Sequence, residues 1–296
     1  MKVAVLGGSG FIGRYVVEEL QSRDIEPLIF DRQYGERHLP EGKHDYFIGD
    51  IKDAEQVNYV VKESDGVINL AGILGTAETV NNPIPSIDVN IYGAINVFNA
   101  CRAHNKKAVQ ITVGNHFMNN SYAITKSTTE RFALMYNKEN GTDISIVRAL
   151  NAYGPRQHHK PIRKVIPNFV LRALNNIPIE VYGDGLQVMD MIFVGDVAEI
   201  LVDALVDDHR VTETVFEAGT GRKTTILEIA NMVNAITGST GGIKHLPMRQ
   251  GEPKRSIVIG EPLTLEPLGW LVNDMVKLED GLQKTVQWYE ESKIQL

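Results

Sequence analysis

The sequence predicts an α/β protein: a doubly wound parallel sheet over residues 1–150, with a smaller carboxyl-terminal α/β lobe over 151–296. Three observations predict it. Short apolar runs alternate with segments of helical period through the first half, a glycine-rich turn joins the first run to the first helical segment, and after Asn151 the alternation loosens. Apolar runs without a polar alternate face fit strands covered by helices on both sides, and helices between them make the strands parallel.

The elements follow in order. Strands are expected at Lys2–Leu6, Glu26–Phe30, Tyr46–Ile48, Gly66–Leu70, Ala108–Thr112 and Ile144–Arg148, and helices at Phe11–Gln21, Ala54–Lys62, Ser86–His104 and Tyr122–Glu139. In the second half Pro155, Pro161, Pro167 and Pro178 punctuate the chain, and helices are expected at Val165–Asn175, Val197–Asp207, Thr225–Thr237 and Leu278–Glu291. The later carboxyl segments are expected in part to return to the first domain.

Composition narrows the function classes. At 296 residues and 43% hydrophobic, the chain can build one large core and a smaller one. A formal charge of −7 disfavours a polyanion binder, so no nucleic-acid partner is expected. One cysteine, Cys101, makes no disulfide framework or thiolate metal cluster, and no metal is assigned. The amino-terminal run Met1–Leu6 is broken at once by glycines, so neither a leader peptide nor a membrane span is expected there, and the cytosol is the expected compartment.

Gly7-Gly8-Ser9-Gly10-Phe11-Ile12-Gly13 follows the first strand and opens the first helix. Gly7, Gly10 and Gly13 stand where a dinucleotide turn needs φ > 0, close approach to a pyrophosphate and tight packing of helix on strand. The helix start at Phe11 and Ile12 offers N–H donors and the positive end of the dipole to phosphates. Asp31, 18 residues beyond Gly13, ends the second strand, where a carboxylate accepts from the adenosine ribose hydroxyls. It repels a 2′-phosphate, which favours NAD; Arg32 beside it keeps NADP open. Asp50 and Ile51 end the third strand and suit the adenine, although an aspartate there equally suits a helix cap.

Tyr122 and Lys126 are four residues apart near the start of a helix and share a face. An ammonium beside a phenol favours the phenolate and draws its pKa from about 10 toward neutrality, which makes an acid/base catalyst of the tyrosine. Lys126 also suits the nicotinamide ribose.

With Gly49-Asp50-Ile51 and Asn69-Leu70-Ala71-Gly72 between them, these motifs resemble the extended short-chain dehydrogenase/reductase family, the group of NAD-dependent nucleotide-sugar epimerases and dehydratases. The resemblance covers essentially the whole chain. Val147-Arg148-Ala149-Leu150-Asn151-Ala152-Tyr153-Gly154-Pro155-Arg156, Val181–Gly185 with Asp190, Val194–Ala198, Arg249–Pro253 and Leu268-Gly269-Trp270 match later landmarks. It implies a Rossmann domain, NAD contacts from Leu70, Ala71 and Gly72, a substrate-binding lobe, and Asn151 at the substrate diphosphate. It also implies a nucleotide-sugar substrate, UDP-linked by first expectation, and a homodimer through the helices at 86–104 and 122–139, whose apolar residues Ile87, Ile91, Ile95, Phe98 and Phe132 equally suit the core.

The sequence departs from the family pattern in two places. The loop between the fifth strand and Tyr122 is severely shortened. The hydroxyl expected beside the tyrosine falls on Thr112, or its position falls on Val113 or Gly114, with Asn115 or His116 as hydrogen-bonding substitutes. Met189 stands where relatives carry an arginine, which leaves Arg249 for the diphosphate, with Arg156, Arg163 and Lys164 nearby. The expected reaction is 4-epimerisation by transient oxidation. A 4,6- or 5,6-dehydratase, which needs an acid/base pair missing from Val113-Gly114-Asn115, is the first alternative. A keto-sugar reductase is the second, and a catalytically silent scaffold on this fold the third.

Overall fold

Val3, Ala4, Val5 and Leu6 have no exposed surface, as a strand walled by helices on both faces requires. The computed structural model describes residues 1–32, 44–207, 214–249, 252–253, 255–294 and 296. Along the first half run β1 (Lys2–Leu6), α1 (Phe11–Ser22), β2 (Glu26–Asp31), β3 (Asp45–Ile48), α2 (Ala54–Lys62), β4 (Gly66–Asn69), α3 (Ile84–Ile87), a π-helical stretch Asp88–Gly93, α4 (Ala94–His104), β5 (Lys107–Val113), α5 (Ser121–Asn140) and β6 (Ile144–Ala149). The second half adds β7 (Asn151–Tyr153), α6 (Val165–Leu174), β8 (Ile179–Tyr182), β9 (Val188–Met189), β10 (Met191–Phe193), α7 (Val194–Val206), β11 (Val215–Ala218), β12 (Thr224–Thr225), α8 (Ile226–Thr237), β13 (Ile243–Leu246), β14 (Ile257–Val258) and α9 (Leu278–Ser292).

The main sheet has the order β11-β6-β5-β4-β1-β2-β3, and each neighbouring pair is parallel. Strand order reverses between β1 and β4, and ligands of such sheets bind in the crevice beyond the carboxyl ends of the strands at that point. Helices α1 and α7 cover one face, around Val16, Leu20, Val197 and Leu201. The other face is covered by α2, α4 and α5, around Val57, Val60, Phe98 and Ala133. Strand β11 and helix α7 bring the carboxyl half back onto this sheet. A separate core of Phe169, Ile179, Val233 and Leu282 holds the lobe, whose short strands pair as β7–β10, β12–β9–β14 and β8–β13. No helix among the described residues is long and apolar enough to cross a membrane.

Two helix starts differ from the sequence expectation by more than one residue. The helix expected from Ser86 begins at Ile84, because Pro83 and Pro85 occupy the first turn, where a missing N–H breaks no helical bond. The helix expected from Val197 begins at Val194, directly after the extended Phe193.

Candidate active site

The glycine turn sits at the strand-order reversal. Gly7 has φ +81°, and a Cβ there would stand 2.9 Å from the Ala71 nitrogen, so backbone at 7 and 71 meets in a gap that only glycine leaves open. Gly10 begins α1 with no side-chain cap and no acidic residue in the first turn, which leaves the helix start to an anion. Asp31 reaches the same turn: its carboxylate accepts from the Ser9 N–H at 3.2 Å and from the Ser9 hydroxyl, and from the Arg32 N–H at 2.8 Å. The N–H donors of the helix start fit the phosphates of a dinucleotide, and the Asp31 acceptor fits its ribose hydroxyls.

Further along the crevice, Ile51 is buried against Gly93, and its carbonyl accepts from Asn96 Nδ2 at 3.0 Å. The cap of α2 is Asp53, not Asp50; Asp50 instead closes a turn onto the Lys52 N–H at 3.0 Å. Leu70 extends β4 by donating to the Leu6 carbonyl at 2.8 Å, and Ala71 donates to Asn69 Oδ1 at 3.2 Å. Gly72 comes next, and a Cβ on it would lie 3.1 Å from Lys126 Nζ. Residues 70–72 thus run from the glycine turn to the lysine.

Helix α5 delivers Tyr122 and Lys126. Asn120 caps it by accepting from the Ala123 N–H at 2.9 Å, which fixes the first turn. Lys126 is 3% exposed, and its Nζ donates to the Ile111 carbonyl at 3.4 Å. Burial brings Lys126 down to about 8. Burial also pushes the Tyr122 phenol up, so in the protein alone desolvation outweighs the lowering expected from the lysine.

Asn90, which the sequence reading missed, completes this corner. It lies in the π-helical stretch, a local distortion frequent at functional sites. Its amide nitrogen donates to the Ile73 carbonyl at 3.1 Å and to Thr125 Oγ1 at 3.0 Å, and its oxygen accepts from the Ile73 N–H at 2.8 Å. The signal in the sequence was faint: an asparagine within an apolar helix.

Thr112 has a different placement from the one expected of a catalytic hydroxyl. It is 2% exposed, and its Oγ1 donates to Glu130 Oε2 at 3.1 Å. Gly114 meets the side chain of Leu150, which also packs on Gly219 and Gly260, so a side chain at 114 has no room. The short loop that follows is a turn closed by the Met118 N–H on the Asn115 carbonyl at 2.9 Å. His116 Nδ1 lies 3.2 Å from the Gly114 carbonyl, and Phe117 is 59% exposed. Between this loop and the segment around Pro253 and Ile257 is a cavity of about 700 Å³.

On the lobe, two guanidiniums lie near the Tyr182 ring, Arg163 at 5.7 Å and Arg249 at 5.3 Å from its centre. Arg163 donates to the Tyr182 hydroxyl at 2.7 Å and pairs with Glu180 at 2.5 Å. Arg249 pairs with Glu252, which also accepts from Thr76 Oγ1 at 3.2 Å, so the cofactor domain and the lobe touch here. Gln250 and Gly251 of the Arg249–Pro253 stretch lie outside the described residues. Asn151 Nδ2 donates to the Asp190 carbonyl at 3.0 Å. Arg156 is placed elsewhere, over the Tyr15 ring and paired with Glu18 of α1.

Comparison with known proteins agrees with this geometry. A putative UDP-glucose 4-epimerase of Methanocaldococcus jannaschii is 28% identical, with 97% of each chain covered. The UDP-glucose 4-epimerase of Thermotoga maritima, solved with UDP-glucose, superposes with a TM-score of 0.91 at 26% identity over 99% of this chain and 100% of that one. The UDP-glucose 4-epimerase of Thermus thermophilus, solved with NAD, gives 0.86 at 28% identity over 98% and 99%. The model of the NAD dependent epimerase/dehydratase family matches residues 3–219, and the chain belongs to that family.

Proposed function

We propose that the protein is an NAD-dependent nucleotide-sugar 4-epimerase that acts on a UDP-hexose. The observation that carries this reading is the run from the Gly7 turn through Gly72 to Lys126, with Tyr122 one helical turn away on the same α5 face. Bound NAD supplies the acceptor for a hydride and afterwards its donor. Gly7, Gly10, Phe11, Ile12 and Gly13 would hold its pyrophosphate, Asp31 its ribose with Arg32 adjoining, and Asp50, Ile51, Leu70, Ala71 and Gly72 the rest of the crevice wall.

In this reading Tyr122 takes the proton of the sugar C4 hydroxyl as the hydride leaves C4, and returns it when the hydride comes back on the other face. Lys126, charged below about pH 8, favours the phenolate and so works against the burial that pushes the phenol up in the protein alone. The 4-keto sugar must turn over between the two transfers, and we assign it the cavity beside Phe117, on the loop that leads into Tyr122. Asn151, Arg163 and Arg249 would hold the diphosphate and nucleoside end, and His116, on the loop that carries Phe117, would meet the sugar. The relatives solved with UDP-glucose and with NAD support both ligands. A homodimer through α4 and α5 is part of the proposal: Tyr92 on the π-helical stretch that leads into α4, and Ile124 and Met135 on α5, are exposed apolar side chains.

The test is incubation of the purified protein with UDP-, GDP- and dTDP-hexoses in D₂O without added NAD, followed by proton NMR. A C4 diastereomer free of deuterium supports the proposal. Loss of water with deuterium gained replaces it with a dehydratase.

A further inference from the structure

Helix α5 carries a third side chain in register with Tyr122 and Lys126. Glu130, one more turn along, is 6% exposed, and a carboxylate so buried requires charge pairing and hydrogen bonds. Arg148 on β6 supplies a two-pronged pair, Nε at 2.8 Å from Oε2 and Nη2 at 2.5 Å from Oε1, and Thr112 on β5 adds its hydroxyl at 3.1 Å. The same guanidinium reaches Glu217 on β11 at 2.7 Å, and Glu217 accepts from the Glu261 N–H at 2.8 Å. Glu130 holds the Arg148 guanidinium above its ordinary pKa.

The register is the telling feature. Successive β5 residues bind successive turns of one helix face: the Ile111 carbonyl takes the Lys126 ammonium, and the Thr112 hydroxyl reaches Glu130. Apolar packing tolerates small shifts of a helix over a sheet, whereas a bidentate guanidinium–carboxylate pair fixes direction as well as distance.

We infer that Glu130 is a positioning residue: held by Arg148 and Thr112, it sets the rotation and register of α5 on β5 and thereby where Tyr122 and Lys126 stand. The inference rests on the acid/base roles proposed for that pair. It also gives Thr112 a task away from the substrate.

The experiment compares the NAD-loaded protein with its Glu130→Gln, Thr112→Val and doubly substituted variants. It reads kcat, KM and NAD content, and follows Lys126 in the ligand-free protein by NMR of ε-¹³C-lysine. Glu130→Gln is expected to lower kcat about tenfold or more at unchanged KM and full NAD content, and to move the Lys126 midpoint. Thr112→Val is expected to have a smaller effect in the same direction and to add nothing to Glu130→Gln, because members of one network couple. An unaltered kcat and midpoint in folded Glu130→Gln overturns the inference. So does a Thr112→Val effect that adds in full, which would put that hydroxyl at the substrate. Should Glu130→Gln not fold, Thr112→Val decides alone: a moved midpoint supports the inference and an unmoved one overturns it. The Lys126 titration needs no substrate, so a protein that turns over no nucleotide sugar refutes the proposed function and leaves the midpoint to judge the positioning role.

Discussion

Gly72 and Lys126 are in near contact: a Cβ on Gly72 would stand 3.1 Å from Lys126 Nζ and equally 3.1 Å from Asn90 Oδ1. The glycine keeps open the gap beside the ammonium, through which, in the proposed reaction, the lysine reaches the cofactor. Gly72→Ala must move one of these two groups by a few tenths of an ångström. We expect a fall in kcat of about tenfold with the fold kept, measured as turnover beside the far-ultraviolet spectrum and Tm; full activity would show that the lysine does not need this gap.

Gly7→Ala tests the turn itself. A positive φ and a Cβ 2.9 Å from the Ala71 nitrogen leave the substituted residue strained against backbone, which cannot move aside as a side chain can. We expect NAD affinity to fall about a hundredfold, roughly 2.7 kcal/mol, measured by calorimetry. Undiminished binding would put the pyrophosphate elsewhere.

The burial of Lys126 predicts a pH dependence of stability. Its folded pKa, about 8, lies below the ordinary 10.5, so the unfolded chain binds more protons between these values and stability rises with pH through that window. Below it the charged lysine bears the full cost of burial. Lys126→Met is expected to raise the Tm of the ligand-free protein by roughly 2–5 °C at pH 7, with the gain shrinking between pH 8 and 10.5. A constant difference across that range would show that the ammonium is well solvated.

Arg249, stacked over Tyr182, belongs in the proposal to binding rather than chemistry. Arg249→Gln is expected to raise KM for the UDP-sugar about tenfold or more, as loss of a charge-assisted contact to phosphate does, with kcat little changed. A fall in kcat at constant KM would place the arginine at the transition state instead.

The parts of this molecule legible in the sequence are those set by local chemistry. The run Lys2–Leu6 is buried on both faces as its lack of alternation predicts, and the Gly7 turn and the Tyr122–Lys126 spacing each need only a few consecutive residues to be read. What was missed is set by partners distant in the chain. Glu130 and Arg148 are joined only once β5, β6 and α5 pack together. The π-helical stretch that turns Asn90 toward Ile73 has no local signature. Thr112 looked available because the strand end was visible in the sequence, whereas the carboxylate that takes its hydroxyl was not. The upward push of burial on the Tyr122 phenol is illegible in the sequence for the same reason, since burial is a property of the assembled site.

In the proposed reaction one hydride leaves C4 and returns to C4. The most direct measurement is turnover of UDP-[4-²H]hexose by the purified protein in ordinary water, with deuterium located by NMR in the product. The expected product is the C4 epimer with deuterium retained at C4. Deuterium transferred to C6 with loss of water, or released to added NAD, would contradict it.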